Sequence, residues 1–97
     1  MGVNTMDAEY RRYWDDMGGK DHLLSLQAKC ADVVKAISGY KVGDEIELAS
    51  YIAELQVSLR LCEVGMRIES FVADYKNEAR DIIRFRLKNN TIEHDRR

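Results

Sequence analysis

The sequence predicts an all-α fold: a four-helix bundle with a short N-terminal helix and three longer helices, antiparallel to their neighbours. Three observations carry this prediction. Proline is absent from the 97 residues, and Ala, Leu, Glu, Lys, Arg and Ile are plentiful, a composition that favours helix. Apolar residues recur at steps of three and four along most of the chain. Glycines fall between the periodic segments, where helices stop. A chain of this length makes one domain with a modest core, and short connections place successive helices antiparallel.

Residues 1–6 read as a disordered start. Tyr10, Tyr13, Trp14 and Met17 then fall at i, i+3, i+4 and i+7, one face of a short helix that Gly18-Gly19 ends. An aromatic stripe at this spacing reads as packing rather than as a base-stacking platform. A second helix opens at Asp21, which suits an N-cap. Its seam is Leu23, Leu26, Cys30, Val33 and Ile37, and Gly39 to Gly43 form a compact turn.

The third helix opens at Asp44, and Glu47 three residues later completes a capping box in which Asp replaces the usual Ser or Thr. Leu48, Ile52, Leu55, Leu59 and Cys62 form its stripe, widened by Ile46, Ala49, Ala53 and Val57, until Gly65 breaks the pattern. A helix apolar on more than one side leaves surface wet in a lone four-helix unit, which predicts a homo-oligomer, a dimer or higher. The fourth helix spans about 67–88, with Ile68, Phe71, Val72, Tyr75, Ala79, Ile82 and Ile83 on its apolar face. The helical domain is thus 7–88, and 89–97 is a polar C-terminal tail.

Charge excludes some functions. Charged residues make up 33% of the chain, yet the net charge is −2, so there is no whole-domain basic footprint for nucleic acid. Arg80, Arg84, Arg86, Lys88, Arg96 and Arg97 make the C-terminal stretch locally basic, which reads as a solvated face and tail. Cys30 and Cys62 both lie on apolar stripes and read as two core thiols rather than a disulfide; no Cys/His spacing suggests zinc. Met1 to Asp7 carry no apolar signal core, and no stretch reads as a membrane span. The expected location is the cytoplasm of a microbe, or of a host infected by a phage. His22 and His94 are isolated and read as surface residues.

No glycine-rich phosphate loop, nucleophile elbow, HExxH or EF-hand loop is present. What remains is the spacing of acids. Asp32 lies in the middle of the second helix. Glu47 and Glu54 lie two turns apart on one face of the third, about 10 Å along the axis. Carboxylates converging from two helices are how a bundle builds a magnesium site.

Several runs carry a resemblance. They are Trp14-Asp-Asp-Met-Gly18, His22-Leu23, and Leu26-Gln-Ala-Lys-Cys-Ala-Asp32-Val-Val-Lys-Ala-Ile-Ser-Gly-Tyr40. A second stretch is Gly43-Asp-Glu-Ile-Glu47-Leu-Ala-Ser-Tyr-Ile-Ala-Glu54-Leu, and a third is Tyr75-Lys76 with Arg80. Together they resemble the small phage and bacterial members of the MazG-like nucleotide pyrophosphohydrolases, over roughly residues 10–88. The resemblance implies an all-α fold that hydrolyses a nucleoside triphosphate to the monophosphate and pyrophosphate with magnesium.

It also implies that the metal site has decayed. The family's EExxE set falls on Ala28, Lys29 and Asp32, and its E(E)xxD set on Ser50, Tyr51 and Glu54. Asp32 and Glu54 keep their charge but have changed length, and Lys29 puts a cation where a ligand should be. We expect Lys29 either to act as a built-in counter-ion to Asp32 or Glu54 or to stand as a solvent-exposed lysine on a helix flank, and no cofactor to be held. Magnesium would be needed only by a surviving enzyme resting on Asp32, Glu54 and Glu47. The expected function is non-catalytic binding of a nucleotide, a nucleotide-derived signal or a protein partner. Lys29, Lys35, Lys76 and Arg80 would contact phosphate, and Tyr51 would stack on a base. Two alternatives are a residual magnesium-dependent pyrophosphohydrolase and an inhibitor or decoy of a mobile element that uses the fold as scaffold.

Overall fold

The computed structural model describes residues 5–95, with side chains described for 5–90. Every element in this range is an α-helix: α1 (Thr5–Met17), α2 (Gly19–Ser38), α3 (Glu45–Met66) and α4 (Glu69–Asp95). The all-helical class expected from composition and periodicity is therefore what the described residues adopt. The chain divides into two compact units, Met1–Arg67 and Ile68–Arg97.

In the first unit, the pairings fix how the helices run. The Cys62 thiol donates to the His22 carbonyl at 3.8 Å, Lys29 meets Glu54, and the Tyr40 hydroxyl donates to Glu45 at 2.8 Å. Positions rising along α2 thus meet positions falling along α3, so the two form an antiparallel hairpin. On α1 the order is the other way. Asp7 meets Arg60 while Trp14 meets Gly65, so α1 runs parallel to α3 and antiparallel to α2.

The Trp14 ring fixes the junction of the three helices. It stacks on His22 with ring centroids 5.4 Å apart and planes 17° from parallel, and Tyr13 meets His22 edge-on at 4.7 Å. The indole also lies over two residues without side chains. A Cβ at Gly19 would come within 2.9 Å of Trp14 Cε2, and one at Gly65 would fall on the ring itself. Gly65 is therefore not a helix breaker as its position suggested. It lies inside α3, and the helix ends at Arg67, whose left-handed backbone (φ 59°) lets its N–H reach the Glu63 and Val64 carbonyls. Gly18 (φ 80°) makes the reversal between α1 and α2, and Gly19 is already helical.

Burial follows this junction. The buried residues are Leu61, Cys62 and Val64 of α3 with Ser58 and His22. His22, expected at the surface, keeps 4% of its accessible area. Its Nε2 lies 3.0 Å from the Tyr13 carbonyl, so a histidine bridges the two helices by one hydrogen bond and two ring contacts. Cys62 is a core thiol as expected, and burial pushes its titration up. Cys30, expected beside it in the core, is instead exposed, and both thiols are free. The seam is closed over Leu26, Val33, Leu48 and Leu55 only to half-burial. At the far end of the hairpin it is open: Val42 is 94% exposed and Ile46 87%.

The turn between α2 and α3 is held by its own polar groups. Asp44 N–H donates to the Lys41 carbonyl at 3.0 Å, and Lys41 N–H donates back to Asp44 Oδ2 at 3.1 Å. Gly43 takes φ 108°, a region a side chain would strain. Asp44 is the N-cap as expected, but the capping box does not form. Its backbone (φ −89°, ψ 8°) lies away from the extended N-cap conformation, and its carboxylate turns back to Lys41 instead of to α3. Asp21 is likewise not the N-cap of α2; Gly18 is, and Asp21 lies in the first turn.

A guanidinium–carboxylate fork ties α1 to α3. Arg60 Nη2 lies 2.7 Å from Asp7 Oδ2 and Nε lies 3.1 Å from Oδ1, while Nη1 reaches Glu63 at 3.2 Å. Those donated hydrogen bonds, opposed in part by desolvation, hold the Asp7 carboxyl below its usual range. The second unit is α4. It continues through Asn89 and Asn90 to Asp95, so the segment expected as a polar tail is helical through that point. Phe71, Tyr75, Ile82, Ile83, Phe85 and Leu87 are exposed along it.

Two predictions follow from the junction. Gly→Ala inside a helix ordinarily gains about 1 kcal/mol. At position 65 the ring is in the way, and overpacking should reverse the sign, so Gly65→Ala should destabilise by about 1–3 kcal/mol in chemical denaturation. In a Trp14→Leu background the same change should become neutral or stabilising; an unchanged cost would place the strain elsewhere. The second concerns acid. Asp7 has a depressed folded value, so the stability it contributes is whole above the usual carboxylate range and is lost as pH falls through that depressed value. Trp14, the one tryptophan, reports on the junction by fluorescence. Asp7→Asn should lower stability at neutral pH and flatten its loss on acidification, and an identical acid profile would contradict the role of the fork.

Candidate functional site

Of the residues singled out by their chemistry, Lys29, Asp32, Lys35, Glu47, Tyr51 and Glu54 lie on α2 and α3, and they line two cavities. The first, of about 520 Å³, opens where α1, α2 and α3 meet. Its bottom is the buried end of the hairpin, His22, Ser58 and Leu61. Tyr13, Met17 and Val57 form half-exposed walls, while Asp21, Lys29 and Glu54 stand at its opening.

Lys29 Nζ lies 3.5 Å from Glu54 Oε2, an ion pair across the hairpin. Of the two partners expected for Lys29, the pairing is with Glu54. The Lys29 side chain is 35% exposed and that of Glu54 53%, so this pair contributes about 0–1 kcal/mol to stability. Its importance is chemical: the Glu54 charge is already answered by an ammonium.

The second cavity, of about 320 Å³, lies nearer the turn and brings Asp32, Lys35, Glu47 and Tyr51 together, with Asp44 beside them. Four of the residues expected at a site therefore share one cavity. Its charge balance is the opposite of what a phosphate requires, because one ammonium faces three carboxylates. Ser50 donates to the Glu47 carbonyl of its own helix at 2.8 Å and is exposed. A third, largely apolar cavity of about 430 Å³ lies beside the turn between Ile37, Tyr40, Leu48 and Ile52. On its edge Glu45 is held below the usual carboxylate range by its own backbone N–H, the Tyr40 hydroxyl and the Gly43 N–H. The bond to Glu45 pushes the Tyr40 phenol up.

Lys76 and Arg80 belong to α4, in the other unit, where Arg80 Nη1 donates to Asn77 Oδ1 at 3.4 Å. His22 is the site residue that sequence reasoning missed. It stands four residues before Leu26 on the same face of α2, and that register could have found it.

The donor set can be tested against the magnesium ion that the resemblance implies. Magnesium takes oxygen ligands in near-octahedral array at close range. Asp32 and Glu54, the two acids that the resemblance puts at ligand positions, line different cavities, and Glu54 is paired with Lys29. These residues do not fit the ion. Comparison of the chain with known protein families, with curated proteins and with solved structures finds no match.

Proposed function

We propose that the chain is a non-catalytic relative of the MazG-like pyrophosphohydrolases, a helical binding module that works as a homo-oligomer. One observation carries this reading: the Lys29–Glu54 ion pair stands where the resemblance would put two ligands of a divalent cation. An ammonium at that point repels a metal, and the positions equivalent to the remaining ligands hold Ala28, Ser50 and Tyr51. Without the ion there is nothing to polarise a triphosphate or to activate water there.

The nature of the ligand follows from charge. A phosphate contact through Lys35 would bring the anion among Asp32, Asp44 and Glu47, and Lys29 is committed to Glu54. The balance supports a partner or ligand that is not a free triphosphate. Self-association is supported by apolar side chains of the first unit that remain in water, among them Val34, Ile37 and Ile46, and by those along α4. No helix among the described residues is long and apolar enough to cross a membrane.

A second reading, a surviving pyrophosphohydrolase, has one observation in its favour. Asp32 and Glu47, from facing helices, line the same cavity. The two readings separate in one experiment. Thermal stability is followed with nucleoside triphosphates, with and without magnesium, alongside an assay of pyrophosphate release. We expect no magnesium-dependent stabilisation and no pyrophosphate above background. Ala28→Glu, Lys29→Glu, Ser50→Glu and Tyr51→Glu combined should create magnesium affinity if the family alignment holds. Robust wild-type turnover that is abolished by Asp32→Ala or Glu54→Ala would overturn the proposal.

A further inference from the structure

The cavity at the junction of α1, α2 and α3 has the size and lining of a small-molecule site. Its volume of about 520 Å³ lies within the range of ligand pockets, which are mostly apolar with a few placed polar groups. Leu61, Met17 and Val57 supply apolar surface, and Tyr13 supplies a ring beside it. These surfaces suit a flat, apolar ligand body.

The polar groups set the charge of that ligand. Lys29 and Glu54 answer one another at 3.5 Å. Asp21, in the first turn of α2, stands at the same opening with no hydrogen bond or ion pair among the described residues. The cavity lining therefore carries two carboxylates, Asp21 and Glu54, against one ammonium, Lys29. The His22 Nε2–H donates to the Tyr13 carbonyl, since a carbonyl can only accept.

We propose that this cavity binds a small cationic aromatic ligand, an arylalkylamine in chemical class. The ring lies against Leu61, Val57 and Tyr13, and the ammonium lies at Asp21. The inference rests on the binding-module reading and supplies its ligand class.

Three probes with the same ring and different charge test it: tryptamine, 3-methylindole and indole-3-acetate. Each is titrated by calorimetry into the full chain without magnesium or nucleotide, so the result is independent of any pyrophosphohydrolase activity. Tryptamine should bind at least ~10-fold more tightly than indole-3-acetate, with 3-methylindole between them. Asp21→Asn, an exposed near-isosteric change, should bring the three affinities to within about 3-fold of each other. Ala53→Trp, which places an indole into the cavity from the exposed side of α3, should abolish binding of all three while circular dichroism stays helical. Absence of tryptamine binding, preference for indole-3-acetate, or an unchanged charge preference in Asp21→Asn would overturn the proposal. So would Ala53→Trp altering self-association while tryptamine fails to bind the wild-type chain, which would make the cavity an interface between copies.

Discussion

The first unit depends on one aromatic ring having somewhere to lie. Trp14 is too large to share a three-helix junction with ordinary side chains on both neighbours. It lies there because α2 presents Gly19 and α3 presents Gly65, with His22 stacked on the ring. That contact sets the separation of α1 from the hairpin, and the Asp7–Arg60 fork sets its direction. The full burial of Val64 and the low exposure of Leu61 and Cys62 follow, because these residues lie in the turns of α3 that α1 covers. Beyond the reach of α1 no described residue of the first unit covers the hairpin, and exposure rises towards Ile46 and Val42. A single geometric constraint therefore gives the hairpin a closed end and an open end.

That polarity organises the chemistry. The cavity at the closed end has apolar walls with two carboxylates and one ammonium in its lining; the cavity nearer the turn is dominated by carboxylates. The antiparallel pairing puts Lys29 opposite Glu54, and the ion pair occupies the span between the two. A lysine in that register changes what the cleft can hold. Here a side chain of the protein supplies the cation that answers Glu54. The proposed function rests on that pairing: a cleft answered by its own ammonium lacks the electrophile that phosphoryl chemistry needs.

Much of the fold was legible in the sequence, and the failures have identifiable physical causes. The period of the apolar residues and the absence of proline were enough for four helices, because both reflect local backbone preference. Gly65 was misread because a glycine's two uses look alike in sequence. One use is to end a helix and the other is to make room for a neighbour, and only the position of Trp14 distinguishes them. The capping box failed at Asp44 because the same carboxylate had a nearer donor in Lys41. Cys30 and Ile37 lie on the seam in register yet are exposed, since periodicity shows which face is apolar and not whether anything covers it. At the site, the pairing of Lys29 with an acid was expected from the resemblance, which sets Lys29 among carboxylate positions. The separation of Asp32 from Glu54 into different cavities was not, because it depends on how far each acid lies along the hairpin. His22 was missed because a histidine has no preference strong enough to declare itself buried without its partners.

The central claim is that the hairpin is closed at one end by its own α1 and, as proposed, at the other by a second copy. Amide hydrogen exchange resolved along α3 tests it most directly, measured in dilute and in concentrated solution. The account predicts that amides from Ser58 to Val64 are strongly protected at both concentrations, while those from Glu45 to Ile52 gain protection as concentration rises. Equal protection along α3 at both concentrations, or loss of protection around Ser58 to Val64 on dilution, would contradict it.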